Sequence, residues 1–149
     1  MIPPEIKNIV LAEDDEDDSQ FFEDALNSIP NQATLFRAKD GVELTGLLDD
    51  MPSIPDLIFL DINMPRKNGT QCLHEIREQE GLNEVPVIVL STTDSEEVIE
   101  HMYQSGANLY IQKPNDMRMW RRAIAKVLAM DWNIHPPFSV KDQFTLKEF

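Results

Sequence analysis

The sequence predicts an α/β fold: a doubly wound, five-stranded parallel sheet with helices on both faces. Five short apolar runs alternate along the chain with segments that have the 3.6-residue period of amphipathic helices. Strands that alternate with helices in this way form parallel sheets that the helices cover. At 149 residues the chain is most economically one domain with a buried core.

The composition of the five apolar runs predicts the strand order. Runs one, three and four consist almost wholly of Val, Ile and Leu, as expected for strands buried on both faces. Runs two and five include polar side chains such as Arg37 and Gln112, which suit the edges of a sheet. The resulting order is 2-1-3-4-5, with a switch point between strands one and three. The runs are NIVLA (8–12), ATLFRA (33–38), DLIFL (56–60), VPVIVLS (85–91) and NLYIQ (108–112).

Helices are predicted in the segments between these strands and after the last one. Asp40 with Glu43, and Asp94 with Glu97, resemble capping boxes and therefore predict two helix starts. In the last helix the apolar side chains at i, i+4, i+7 and i+8 predict the face that packs on the core. They are Trp120, Ile124, Val127 and Leu128.

The periodic pattern ends near Asp131, so we predict a domain over 5–131 and a tail over 132–149 with no output domain. The final stretch, DWNIHPPFSVKDQFTLKEF, has a proline pair, scattered aromatic residues and no period. We expect some of its apolar side chains to pack against the domain or against a second copy. The candidates are Trp132, Ile134, Phe138 and Phe144.

Composition restricts the class of protein and its partners. The net charge of −14 makes nucleic acid and anionic membranes poor partners, and favours a basic partner or a bound cation. With Cys72 as the only cysteine, an internal disulfide is impossible, which agrees with a reducing compartment. The chain lacks the pattern of a signal peptide and any apolar stretch of the roughly 20 residues that span a bilayer. We therefore expect a soluble, cytoplasmic protein.

Polar side chains follow four of the predicted strands, at the edge where sheets of this kind bind ligands. Carboxylates close to a hydroxyl and an amine indicate that a hard cation is bound and an anion is handled. Mg²⁺ prefers carboxylate, carbonyl and water oxygens. Asp17 and Asp18 fall in the first turn of the next helix, where negative charge interacts favourably with the helix dipole. The strand-end residues are Glu13, Asp14, Asp15, Asp61, Ser91, Thr92, Thr93 and Lys113.

Four motifs of the chain resemble, in order, those of the receiver domain of bacterial two-component response regulators. They are VLAEDD, LIFLDINMPRKNG, VIVLSTT and YIQKP. The resemblance runs from about Lys7 to Asp131, and its most specific part is D-x-x-M-P-x-x-x-G at 61–69. It implies the flavodoxin-like receiver fold. More loosely, the chain resembles the small single-domain regulators that are paired with bacterial phytochromes and related hybrid kinases.

The resemblance implies that Asp61 is the phosphoacceptor. It would receive a phosphoryl group from the phosphohistidine of a sensor histidine kinase or histidine phosphotransfer protein. The resemblance also implies a bound Mg²⁺. Its ligands would be Asp61, Asp14, the backbone carbonyl of Asn63 and, mainly through water, Glu13. Beyond transfer to itself and its own dephosphorylation, the protein is expected not to be an enzyme.

The resemblance also implies how the signal would leave the site. Ser91 would bond to the phosphoryl group and Lys113 would pair with its oxygens. The movement of Ser91 would make room for Tyr110, at the aromatic switch position, to rotate and change the face formed by helix 4, strand 5 and helix 5. A downstream protein would bind this altered face, and the same face or the tail could form a homodimer. Tyr110 fits equally well as ordinary half-buried packing. The resemblance also implies a cis bond between Lys113 and Pro114, because the matching bond is cis in many members of the family.

Three other functions fit parts of the pattern. A haloacid-dehalogenase-like phosphatase also uses a strand-end Asp and Mg²⁺, but its motif Asp-x-Asp-x-Thr meets Asn63 and Pro65 here. A flavodoxin-like flavin protein needs a Ser/Thr/Gly loop after strand one, where Glu13 and its acidic neighbours would repel the cofactor phosphate. A receiver-like module that never accepts phosphate would not need the complete set of acid, Ser and Lys.

Overall fold

The computed structural model describes residues 6–132 and 144–146, which form a parallel sheet with helices on both faces. Its strand order is β2-β1-β3-β4-β5-β6, and every neighbouring pair is parallel. The predicted order 2-1-3-4-5 is therefore confirmed, and a short sixth strand is added. The strands are β1 (Asn8–Ala12), β2 (Thr34–Ala38), β3 (Leu57–Asp61), β4 (Val87–Ser91), β5 (Leu109–Gln112) and β6 (Thr145–Leu146). The helices are α1 (Glu16–Asn27), α2 (Gly41–Asp50), α3 (Gly69–Glu78), α4 (Glu96–Gln104) and α5 (Met117–Ala129).

The core lies in two apolar layers, one on each face of the sheet. Alternate residues of β3 show the division: Ile58 and Leu60 pack with α2, α3 and α4, whereas Leu57 and Phe59 pack with α1 and α5. Every residue of β3 and β4 is buried, as their continuous apolar runs predict. The four residues predicted to form the core face of α5 are also buried.

One of the two predicted helix starts is confirmed and the other is wrong. Asp40 is the N-cap of α2, and its side chain accepts a 2.8 Å hydrogen bond from the amide of Glu43. Before α4 the N-cap is Ser95, without a side-chain cap bond, and Asp94 lies one residue outside. The amide of Ser95 instead donates to Oγ1 of Thr93 at 3.1 Å, so a local turn sets the entry into α4.

The prediction that β5 is an edge strand is wrong, because β6 lies beyond it. The amide of Tyr110 donates a 2.9 Å hydrogen bond to the carbonyl oxygen of Phe144. The Phe144 side chain is buried, with ring centroids 5.2 Å from Tyr103 and 6.3 Å from Tyr110. Packing of the tail on the domain is thus confirmed for Phe144 and for half-buried Trp132. The other two candidates, Ile134 and Phe138, lie outside the described residues.

Two further features bear on the expectations from sequence. All peptide bonds within the described residues are trans, so the bond between Lys113 and Pro114 is not the cis bond of many family members. No helix in the described ranges is both long enough and apolar enough to cross a membrane.

Candidate functional site

The parallel register brings the carboxyl ends of β1, β3, β4 and β5 to one rim of the sheet. Asp61 is the last residue of β3 and lies opposite Leu90 of β4. Glu13 follows Ala12, whose partner on β3 is Leu60, so Glu13 and Asp61 are adjacent across the switch point. This is the place where ligands bind in open α/β sheets.

Three carboxylates converge at this rim. Glu13, Asp14 and Asp61 each offer one oxygen, and these oxygens all lie within 4.8 Å of one another. Glu13 and Asp61 are buried, whereas Asp14 is exposed. The cluster is therefore closed on the side of the sheet and open to solvent on the other, which suits a cation that keeps part of its water shell.

The cluster lacks enough positive charge of its own to balance three carboxylates. Burial first and then neighbouring Glu13, against the opposing effect of Lys113, together raise the pKa of the Asp61 carboxyl from an ordinary 3.8 to about 8. A divalent cation between the carboxylates would offset this repulsion, and hard oxygen ligands are the kind that Mg²⁺ prefers. The residues present therefore fit the implied metal.

Lys113 is the cation of the site, and it lies among three carboxylates. Its Nζ is 2.8 Å from Oε1 of Glu13, 2.9 Å from Oδ2 of Asp18 and 3.7 Å from Oδ2 of Asp61. The contact with Asp18 is an aligned hydrogen bond, whereas the contact with buried Oε1 of Glu13 is an ion pair without that alignment. Burial disfavours the charged amine, but the carboxylates outweigh burial and raise the Lys113 pKa above its ordinary value.

The loop between β3 and α3 explains the spacing of the central motif. A Cβ on Gly69 would meet the carbonyl oxygen of Asp61 and would lie 2.6 Å from Cα of Ile62, so only glycine allows α3 to begin this close to β3. The Gly69 amide donates to the Ile62 carbonyl at 2.9 Å. The Asn63 amide donates to Oδ1 of Asp61 at 3.2 Å, which orients the carboxylate.

Two carboxylates of the cluster, Asp14 and Asp61, line an open cleft of about 470 Å³. The lining residues include Asp14, Asp61, Asn63 and Lys113, so most of the predicted site residues meet there. Three predicted site residues are buried and do not line it: Glu13, Ser91 and Tyr110. Ser91 ends β4 beside the cleft and is fully buried. Its Oγ accepts a 3.2 Å hydrogen bond from the Thr93 amide.

Tyr110 is connected to the same loop. Its ring is fully buried, and its hydroxyl donates a 2.8 Å hydrogen bond to the carbonyl oxygen of Thr93. Burial raises the pKa of the phenol above its ordinary value. The expectation of a half-buried tyrosine on an edge strand is wrong, because Phe144 and β6 cover it. A hydrogen-bonded path thus runs from Ser91 through Thr93 to Tyr110.

Asp18 is a site residue that the sequence analysis missed. The sequence predicts only a helix-start acid at this position, yet the Asp18 carboxylate accepts a hydrogen bond from Lys113, 95 residues away in the chain. Helical spacing gives no signal for this role, because Asp14 lies before the N-cap of α1 and so shares no helix face with Asp18. Asp15 is the N-cap of α1 and accepts from the amide of Asp18 at 3.0 Å.

Comparisons with known proteins identify the family of the chain. The sequence model of the family described as "Response regulator receiver domain" matches residues 9–125. Response regulator Rcp1 of Synechocystis sp. is 30% identical over 121 residues, which cover 78% of this chain and 81% of that protein. The probable C4-dicarboxylate response regulator DctR of Bacillus subtilis is 36% identical over 118 residues, which cover 79% of this chain and 50% of DctR.

Solved structures give the same result. The Mn²⁺-bound form of response regulator Rcp1 superposes with a TM-score of 0.76 at 27% identity, covering 88% of this chain and 99% of that one. The phosphorylated cyanobacterial phytochrome response regulator RcpA gives a TM-score of 0.75 at 32% identity, covering 81% and 90%. The chain therefore belongs to the receiver domain family of two-component response regulators, and its sheet is the flavodoxin-like receiver fold with one additional strand.

Proposed function

We propose that the chain accepts a phosphoryl group onto Asp61 from the phosphohistidine of a sensor histidine kinase or histidine phosphotransfer protein. The observation that supports this most is the convergence of Glu13, Asp14 and Asp61 within 4.8 Å, with Lys113 Nζ 3.7 Å from Asp61. Phosphoryl transfer needs little covalent help beyond the nucleophile, and depends on positioning and charge stabilisation. The acidic cluster and the lysine are the groups that would provide both.

Mg²⁺ is the proposed cofactor. Asp14 and Asp61 would hold it directly, with Glu13 acting mainly through water and the Asn63 carbonyl contributing a further oxygen. When bound, the ion would mask the negative charge of the acceptor and of the incoming phosphoryl group. That the Mn²⁺-bound form of Rcp1 has the same fold supports this proposal.

In the transfer step an ionised Asp61 carboxylate oxygen attacks phosphorus. A P–O bond to Asp61 forms as the P–N bond of the phosphohistidine breaks, and the imidazole leaves with the electron pair. The amide of Asn63 holds the acceptor carboxylate in place through its 3.2 Å hydrogen bond. Lys113, already cationic beside the acceptor, pairs with a phosphoryl oxygen. The product is a mixed anhydride that water can cleave, so the mark is temporary.

The output we propose is a change of surface on the receiver domain, residues 5–131. Of the tail, 132–149, Trp132 and Phe144 pack on this domain. The Ser91 hydroxyl bonds to the phosphoryl group and leaves its place beside Thr93. Because the Tyr110 hydroxyl bonds to the Thr93 carbonyl, movement of this loop releases the ring. A downstream protein target then reads the face of α4, β5 and α5, and this face or the tail is also the proposed homodimer contact.

The test is to offer the purified chain acetyl phosphate with Mg²⁺ and locate the adduct by mass spectrometry. We expect one acid-stable, base-labile phosphoryl group on Asp61, with none on the Asp61→Asn variant. A chelator should abolish its formation. A wild-type chain that stays unmodified, or one modified equally after Asp61→Asn, would contradict the proposal.

A further inference from the structure

We propose that Asp18 is a positioning residue that holds Lys113 away from the acceptor and competes with the phosphoryl group for it. This inference rests on the function proposed above and concerns the regulation of the same site. Asp18 is the last of six consecutive acids that begin at Glu13. The proposal gives it a direct effect on how strongly the site retains phosphate.

The first argument is geometric. The Lys113 ammonium lies 2.9 Å from Asp18 but 3.7 Å from Asp61, so its short contacts go to carboxylates other than the acceptor. The side chain of Lys113 is only 9% exposed, so water can replace few of these contacts. A phosphoryl group on Asp61 therefore gains the lysine only by drawing it from its present partners or sharing it with them.

The second argument concerns which partner continues to compete once a cation is bound. Glu13 belongs to the three-carboxylate cluster, so part of its charge would be offset by the metal. Asp18 lies outside that cluster, and among the ion pairs of the described residues its cationic partner is Lys113 alone. Its full negative charge thus continues to attract the lysine.

The third argument is repulsion. Asp18 lines the same cleft as Asp61, so its negative charge borders the cleft that an incoming phosphoryl group would enter. Repulsion between like charges is stronger where solvent is partly excluded. The Asp18 side chain is only 25% exposed. Competition for Lys113 and repulsion of the phosphoryl group have the same sign, and both weaken retention of phosphate.

The chain contains a matched control for charge alone. Asp17 precedes Asp18 in the first turn of α1, lines the same cleft and is exposed. Among the ion pairs of the described residues, none involves Asp17. Asp17→Asn removes one negative charge from the same helix start and cleft. The amount by which Asp18→Asn changes phosphate retention beyond Asp17→Asn therefore measures the contact with Lys113.

The experiment measures the affinity of the full chain for beryllofluoride, a phosphoryl analogue, by calorimetry in saturating Mg²⁺. We expect Asp18→Asn to bind beryllofluoride roughly three- to tenfold more tightly than Asp17→Asn. Its aspartyl phosphate should also be lost more slowly. Asp18→Glu, which restores the charge, should return both values toward those of the wild type.

Two further measurements separate positioning from damage to the fold or the metal site. Titration with Mg²⁺ alone should give equal affinities for the Asp17→Asn and Asp18→Asn variants. NMR of the metal-free protein through ¹⁵N measures how fast the ammonium protons of Lys113 exchange with water. This exchange should be faster in Asp18→Asn than in the wild type, and unchanged in Asp17→Asn.

The outcomes distinguish this inference from the proposed function. If Asp18→Asn binds beryllofluoride no more tightly than Asp17→Asn, or binds it more weakly, the inference about Asp18 is overturned. If the wild-type chain takes neither beryllofluoride nor phosphate on Asp61, it is the proposed function that fails.

Discussion

At the scale of single residues, Asp61 lies in surroundings that oppose its own ionisation. Burial and the proximity of Glu13 favour the neutral carboxyl, and Lys113 offsets only part of this. A neutral carboxyl is a poor nucleophile, so in the proposed transfer these surrounding groups would make the reactivity of Asp61 depend on a cation. The ion would then stabilise the ionised acceptor before any donor arrives.

This environment predicts how stability depends on pH when metal is removed. With a pKa of about 8 in the folded state against an ordinary 3.8, Asp61 binds more protons when folded than when unfolded between those values. Stability of the metal-free protein should therefore fall as pH rises from about 4 to about 8. Asp61→Asn removes this contribution and should be more stable than the wild type at pH 8 to 9 by on the order of 2 kcal/mol.

The check is urea unfolding of both proteins in chelator across this pH range. Carboxylates far from the site contribute equally to both proteins, so the difference in unfolding free energy reports Asp61 together with its coupling to Glu13 and Lys113. Saturating Mg²⁺ should remove most of the difference, because the cation favours the ionised carboxylate. If the unfolding free energies of the two proteins change in parallel from pH 4 to 9, the pKa of Asp61 is not raised in the folded state and the prediction is wrong.

Sequence alone identifies the residues whose place follows from a strand end. Glu13, Asp14, Asp61 and Lys113 all follow apolar runs that parallel register brings to one rim. Sequence alone does not identify Lys113 as the partner of Asp18. This contact joins residues 95 positions apart and depends on how α1 packs beside the end of β5. Nothing local distinguishes Asp18 from the acids around it.

At the scale of secondary structure, β6 and the residue before it complete the packing around the proposed switch. Phe144 fills the space against Tyr103 and Tyr110, and its carbonyl accepts from the backbone of β5. Any rotation of Tyr110 must therefore displace or rearrange this aromatic contact. If Tyr110 rotates as proposed, the packing of Phe144 contributes to the energy difference between the two proposed positions of the ring.

We expect Phe144→Ala to lower the free energy of unfolding by about 1–3 kcal/mol. The reason is the loss of a buried ring from the cluster shared by α4 and β5; local release of the tail limits the cost. Thr145→Ala, at a half-buried neighbour, is the control and should change stability by less than about 0.5 kcal/mol. Urea unfolding measures both. A Phe144→Ala variant as stable as the control would show that the ring contact contributes little.

The elements that sequence predicted are those with a long periodic signal. Five strands and the core face of α5 are evident because each repeats a pattern over several residues. β6 has only two residues, Thr145 and Leu146, so no alternation can mark it. The start of α4 was misplaced because Asp94 and Glu97 satisfy a spacing rule that the turn at Thr93 overrides.

At the scale of the whole molecule, the net charge of −14 acts on the folded state. A compact chain holds its carboxylates closer together than the unfolded chain does, so their mutual repulsion lowers stability. Several of these acids line one cleft, where the repulsion is concentrated. Monovalent salt screens such repulsion within a Debye length of about 10 Å at 0.1 M.

Raising NaCl from about 0.02 M to about 0.2 M should therefore increase the free energy of unfolding by on the order of 1 kcal/mol. Thermal unfolding in chelator measures this without a contribution from divalent metal. KCl is the control, because it should act equally if screening is the cause. A fall in stability with either salt would mean that attractive ion pairs, such as those of Lys113, outweigh the repulsion.

The additional strand leaves the two margins of the sheet chemically unlike. On one side the backbone of β5 is partly occupied by its own tail, so a foreign chain finds few vacant amides and carbonyls there. On the other side β2 presents its outer margin, where Arg37 pairs with Glu23. Charge on an open margin discourages lateral stacking of sheets into aggregates. Each margin is thus protected by a different means, one by occupancy and one by charge.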